Sequence, residues 1–330
     1  MNIKNLLIIV TIFCSLFTNT VFAKALKIAF FASSSENGYN QATWEGVKDA
    51  AAKHGNVETA IFNGEFNATL QYAQIEDIVA SREFDGFVVV PNDTVGIAGV
   101  IEEAIASGIK VATSLFPIGP DLTTLDPQVD GLTATAAGSP VYGATLQANE
   151  IVKFCINKNP CNTIIMIGQK IYPFDKLRYD TFLDILGKHG NIKIVATVEG
   201  NYSPDVSLTG MTDALQSAKD VHAVLSNADQ HLIGAEIALE DAGYKVEDLY
   251  LMGGGAAEIA IDAIKAGKWD ASFIGVPYSE GYLAAEAVLN ALDGKDVNPV
   301  IDITKVGGID PIITKEVLEA NPDWKPEWGG

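Results

Sequence analysis

Leu26-Lys27-Ile28-Ala29-Phe30-Phe31, then polar Ser33-Ser34-Ser35-Glu36-Asn37-Gly38, then a helical stretch over 40–54 set the rhythm of this chain. A run this apolar, broken only by Lys27, marks a strand covered on both faces, as parallel strands flanked by helices are. The unit repeats outward. The pattern predicts strand 57–62, helix 67–82, strand 87–91, helix 95–107 and strand 109–115. A Pro/Gly/Thr-rich stretch over 116–140 interrupts it, and the alternation then restarts. Helix 141–157, strand 163–168, helix 175–189, strand 192–198, helix 204–219, strand 223–226 and helix 230–242 follow. Strand 249–252, helix 256–266, strand 272–276 and helix 279–292 come next, before an extended 300–305 and an irregular tail. Two α/β series in succession predict an α/β protein of two doubly wound parallel-sheet lobes. No low-complexity linker separates them, so ordered crossings join them.

Length and composition agree. The 330 residues, 48% hydrophobic and 19% charged, allow two cores and exclude a disordered or collagen-like chain. The 42 acidic against 22 basic residues give a net charge of -20, which repels phosphate backbones and anionic lipid surfaces and argues against a nucleic-acid partner. One Lys, an apolar run over 6–17 and a Val21-Phe22-Ala23 ending form the three parts of a secretory signal over 1–23. A dozen apolar residues are too few for a membrane-spanning helix, and Phe13 before Cys14 fits a lipoprotein signal badly. Export to the periplasm is therefore expected. In that oxidising compartment Cys155 and Cys161 are read as a disulfide, with free thiols as the alternative. Two cysteines without a nearby His do not make a zinc site, and the four His show no metal spacing, so neither metal nor cofactor is expected.

Ligands of doubly wound sheets bind beyond the carboxyl ends of the strands. The candidates there are Asn37, Tyr39, Asn40, Asp93, Ser114 and Leu115 in the first lobe. In the second they are Tyr172, Arg178, Tyr202, Asn227, Gly255 and Tyr278. Aromatic and neutral polar groups with one cation suit a polyhydroxylated or amide-bearing small molecule. Arg178 is either a surface ion-pair residue or a rigid fork for hydroxyls or a carbonyl. Asp93 and Asp229 read first as helix caps, and His231 as a core residue near the cleft. Gly253-Gly254-Gly255 lacks the spacing of a phosphate loop or dinucleotide fingerprint and reads as a tight strand-to-helix turn. With no Gly-x-Ser-x-Gly elbow and no His-Glu-x-x-His, catalysis is not expected.

The chain resembles the periplasmic sugar-binding proteins of ABC importers, in the ribose-binding branch. The likeness rests on Asn37-Gly38-Tyr39-Asn40, on Asp85-Gly86-Phe87-Val88-Val89-Val90-Pro91-Asn92-Asp93, and on segments 104–111, 178–182, 223–234 and 311–316. It implies a three-crossing hinge that closes two lobes over the ligand. The lobes would be 24–134 plus 276–300, and 135–275 plus 301–330. It further implies that Asn37, Tyr39, Arg178 and Tyr202 contact a sugar or polyol, and that a membrane permease receives it. Monomer is the family expectation, and a chemoreceptor or sensor kinase is a possible further partner. Departures stand beside the likeness. Leu115 falls where the family carries charge, Ala228 where it has Asn, Gly255 where it has a hydroxyl-binding Asp, and Gly275 where it has a polar hinge residue. The pocket is thus not a standard pentose site; Glu258, Tyr278 or Tyr172 could carry the ligand instead, and a nucleoside or amide is the alternative solute. A cytoplasmic repressor is disfavoured, since no basic helix-turn-helix precedes the first strand.

Overall fold

A computed structural model describes residues 24–330, so the signal reading over 1–23 lies outside the described residues. The chain runs β1 (Leu26–Ala32), α1 (Gly38–His54), β2 (Val57–Asn63), α2 (Ala68–Ser81), β3 (Gly86–Val89), α3 (Ala98–Ala106), β4 (Lys110–Leu115) and β5 (Ala134–Ala137). It continues α4 (Pro140–Phe154), β6 (Cys161–Ile167), α5 (Pro173–Leu186), β7 (Ile192–Glu199), α6 (Pro204–Ser217), β8 (Val221–Ser226) and α7 (Asp229–Asp241). Last come β9 (Tyr250–Gly255), α8 (Glu258–Ala266), β10 (Ala271–Ile274), α9 (Pro277–Leu292), β11 (Val300–Asp302), β12 (Ile312–Thr314) and α10 (Lys315–Ala320).

Two six-stranded sheets result, in the orders β11-β5-β4-β3-β1-β2 and β12-β10-β9-β8-β6-β7. Every pairing is parallel except β10 with β12, where Ala271 faces Thr314. The order reverses beside β1 in one sheet and beside β6 in the other, which opens a crevice at the carboxyl ends of both. Continuous burial explains the continuous apolar runs: Ile28–Ala32 and Ile164–Ile167 have no exposed surface. Each sheet has a core cluster on both faces, one built around Phe31, Phe87 and Ile101 and another around Ile165, Phe182 and Leu225.

The chain passes between the sheets three times: after β5, after β10 and after β11. β5 stays in the first sheet to Ala137 and β11 to Asp302. Helix starts aim at the cleft and are fixed locally. The Asn37 side chain caps α1, and Pro140, Pro173, Pro204 and Pro277 open α4, α5, α6 and α9, where a missing N–H costs nothing. Cys155 and Cys161 form a disulfide, with Cα atoms 5.7 Å apart, tying the end of α4 to the start of β6.

Two sequence expectations change. Gly253-Gly254-Gly255 is the end of strand β9 rather than a turn. A Cβ on Gly253 would stand 2.2 Å from Asp229 Oδ1, and one on Gly254 would stand 2.6 Å from the Asn227 carbonyl. The tail is also ordered, supplying an edge strand and a short helix before returning to the cleft.

Candidate functional site

The second-lobe wall is organised by a residue absent from the sequence candidates. Asp175, in the first turn of α5, is fully buried. Its Oδ1 accepts from Arg178 Nη2 at 2.5 Å, from the Tyr202 hydroxyl at 2.6 Å and from Asn227 Nδ2 at 3.1 Å. Its Oδ2 accepts from the Gln169 backbone N–H at 2.7 Å. One carboxylate therefore fixes three side chains, from α5 and from the segments after β7 and β8. Arg178 also donates to the Tyr202 hydroxyl at 2.5 Å, and its guanidinium lies 5.3 Å from the Phe116 ring and 5.5 Å from that of Phe174. Two atoms in this cluster have no hydrogen-bond partner among the described residues: Arg178 Nε, a donor, and Asn227 Oδ1, an acceptor.

Behind this wall His231 is fully buried. Burial, reinforced by the Arg178 charge, lowers its pKa to about 3 and keeps the ring neutral. Its Nε2 accepts the Tyr202 backbone N–H at 3.0 Å, and its Nδ1 lies 3.0 Å from the Ser226 hydroxyl. Tyr202 sits at a φ of 53°, which a non-glycine residue keeps only when its surroundings enforce it. His231 thus holds the ring of Tyr202 in place and does not line the cavity. Burial likewise holds the Tyr202 hydroxyl protonated, well above the usual phenol range.

The first-lobe wall begins at Asn37, whose Oδ1 accepts from the backbone of Tyr39 at 3.0 Å and of Asn40 at 3.3 Å. Asn40 in turn ties down the loop after β1 by accepting from the Ser33 N–H at 3.1 Å. The Tyr39 hydroxyl donates to Glu280 Oε1 at 2.5 Å. Trp328, in the C-terminal tail, packs edge-on against Tyr39 with ring centroids 5.2 Å apart and donates through Nε1 to the Gly255 carbonyl at 2.6 Å. A Cβ on Gly255 would lie 2.6 Å from Trp328, and Gly255 has a φ of +121°. The space a side chain at 255 would need is therefore filled by an indole.

The lobes touch across the mouth. Phe116 stacks on Phe174 at 4.2 Å, Phe66 on Tyr202 at 5.6 Å, and the Tyr172 hydroxyl donates to the Phe66 carbonyl at 2.8 Å. The cavity between them measures about 140 Å³. A dry cavity of about 150 Å³ takes a benzene ring, so this one suits a single small ring and not an oligosaccharide.

Nine sequence candidates line the cavity: Asn37, Tyr39, Asn40, Leu115, Tyr172, Arg178, Tyr202, Asn227 and Gly255. Three stand elsewhere and are corrected. Asp93 points its Oδ1 at the N–H groups of Val95 and Gly96, at 3.0 and 2.8 Å, to cap that turn. Ser114 is buried within β4, where strand alternation turns Leu115 to the cleft instead. Tyr278 reaches along the α1–α9 surface to Asp49, 2.9 Å away. Glu258, the alternative contact, begins α8 outside the cavity. Asp229 does not cap its own helix. Burial raises its pKa to about 6, and its Oδ2 accepts the Ala257 N–H at 2.9 Å, joining α8 to β10 through Ser272. Sequence reasoning missed Asp175, Glu280 and Trp328 as site residues. The Asp175-x-x-Arg178 spacing was a usable signal for the first, because residues three apart share a helix face.

Comparison with known proteins gives the family. The periplasmic binding protein domain model matches residues 28–296. A putative rhizopine-binding protein of Rhizobium meliloti is 26% identical over 261 residues, covering 78% of this chain and 82% of the relative. The ribose import binding protein RbsB of Bacillus subtilis (strain 168) is 24% identical over 280 residues, 84% of this chain and 85% of its own. Among solved structures, an ABC transporter solute-binding protein of Bacillus halodurans C-125 with bound myo-inositol superimposes with a TM-score of 0.78. It is 22% identical, covering 92% of this chain and 98% of that one. The two six-stranded lobes, the three crossings and the match over most of the chain together place this protein in the periplasmic binding protein family.

Proposed function

We propose that this protein is the solute-binding component of an ABC importer that captures a single-ring, hydroxylated molecule between its lobes and passes it to a membrane permease. The observation that carries the reading is the pair of unpartnered atoms, Arg178 Nε and Asn227 Oδ1, on an aromatic-walled cavity of ring size. A donor and an acceptor, on two side chains that Asp175 holds, match hydroxyls, which offer both. Buried polar atoms left unmet cost about 1–3 kcal/mol each, so a ligand that pairs them is favoured over one that does not. Phe66, Phe116 and Phe174 supply flat apolar faces for the C–H surface of the ring. The named ligands of relatives, ribose and myo-inositol, are of this class. Closure follows from contacts that exist only when both lobes meet, and a ligand spanning them adds to those contacts. Export through the 1–23 segment and action as a monomer complete the reading.

A thermal-shift screen of the protein purified after expression of the full chain tests it, using pentoses, hexoses, cyclitols, nucleosides and amino acids. A micromolar ligand at millimolar concentration stabilises the native state by about 4 kcal/mol. A shift with one hydroxylated ring class is expected; a shift only with nucleosides or amino acids would overturn the ligand class.

A further inference from the structure

Glu280 sits in the first turn of α9, is fully buried and lines the cavity. Its Oε1 is taken by Tyr39, while its Oε2 has no hydrogen-bond partner among the described residues. No ion pair among the described residues includes it. The groups that face it are the Tyr39 hydroxyl, the Val276 backbone N–H and a second carboxylate, Glu327. Glu327 is itself held at the start of α9 by the Ser279 N–H at 2.9 Å and the Ser279 hydroxyl at 2.5 Å. The opposite wall is different, because there Asp175 is matched by Arg178. Glu280 and Arg178 both line the cavity, and Arg178 is already matched by Asp175 behind it, so Glu280, beside the rings of Tyr39 and Trp328, has no cationic partner among the described residues.

We infer that the solute is a hydroxylated ring bearing a protonated amine, an amino sugar or amino-cyclitol, whose ammonium seats against Glu280. The inference rests on the cavity being the solute site. A hydroxyl could pair with Oε2, but an ammonium also stabilises the ionised form of the carboxyl, which no cation among the described residues does, and the aromatic rings alongside favour it further. Burial, with Glu327 adding to it, raises the Glu280 pKa to about 8, so the carboxyl is mostly protonated at neutral pH. Seating an ammonium there expels that proton, which gives a signature that a neutral polyol lacks.

The test is isothermal titration at pH 7, in two buffers of different ionisation enthalpy, on the protein purified after expression of the full chain. The probes are matched pairs: glucosamine with glucose, galactosamine with galactose, and an aminocyclitol with its parent cyclitol. At least one amine should bind about 30-fold more tightly than its parent, the scale of a charge-assisted hydrogen bond. It should release close to one proton, and Glu280→Gln should abolish both the preference and the proton release. If that variant does not fold, proton release and the pairwise preference of the unaltered protein decide. Parents binding as well as amines, or a preference that survives Glu280→Gln, would overturn the ammonium and leave the solute-binding function standing. Binding of neither member of any pair would overturn both.

Discussion

Asp175→Asn removes one charge and nothing of the shape, and the structure states what that should do. Oδ1 now collects three donors and Oδ2 a fourth. An amide keeps one acceptor oxygen, so its NH₂ must face either the Gln169 N–H or the three donors clustered on the other side. One mismatched buried donor costs about 1–3 kcal/mol. Arg178, with its side chain only 14% exposed, also loses its counter-charge, and breaking such a pair costs about 3–5 kcal/mol when fully buried. A net loss of about 3 kcal/mol is expected, seen as a drop of about 8 °C in Tm. The same change frees Arg178, Tyr202 and Asn227 to reorient, so affinity for the solute should fall about 100-fold. Urea unfolding gives the stability and isothermal titration the affinity. A variant with reduced stability but unchanged affinity would refute Asp175 as the organiser of the binding wall.

Other outcomes follow from the same geometry. Replacing Cys155 and Cys161 by Ala opens a crosslink with a sequence separation of 6 and should cost about 2 kcal/mol in urea unfolding, without altering ligand affinity, since the bond lies away from the cleft. Trp328→Ala removes the indole between Tyr39 and Gly255 and should weaken solute binding at least tenfold while Trp328→Phe keeps most of it; equal affinity in all three would show the tail to be a bystander. His231 has a folded pKa of about 3 against an ordinary 6.5, so the unfolded chain binds the extra proton between those values. Its contribution is complete above about pH 6.5 and is lost as pH falls toward 3, by up to about 1.4 kcal/mol per pH unit. The difference in stability between this protein and His231→Gln should therefore shrink on acidification through that window. Glu280 runs the other way: with its pKa raised to about 8, stability should fall as pH climbs from about 4.5 to 8, a fall that Glu280→Gln removes.

The architecture was legible because parallel strands covered on both faces must be apolar where they are covered, and Ile28–Ala32 and Ile164–Ile167 are. Strand ends then located most of the cavity. Asp93 was read first as a cap and second as a ligand contact, since the two look alike in sequence, and the two N–H groups after it decide for the cap only in three dimensions. Ser114 was misplaced because the sidedness of adjacent strand residues depends on which face the sheet turns to the cleft. Glu280 and Trp328 lie 241 and 289 residues beyond Tyr39 along the chain. No local pattern announces that a helix start and a C-terminal tail come to the same tyrosine. The glycines ending β9 were read as a tight turn, whereas they finish the strand and make room for Asp229, Asn227 and Trp328.

The central claim is that a hydroxylated ring is held between the lobes by atoms the protein leaves unpartnered. A crystal structure of the protein with the tightest ligand from the screen tests it directly. The account predicts ligand hydroxyls within hydrogen-bonding distance of both Arg178 Nε and Asn227 Oδ1, with the ring against Phe116 and Phe174. A ligand bound outside the cleft, or one in the cleft that leaves both atoms unpaired, would contradict it.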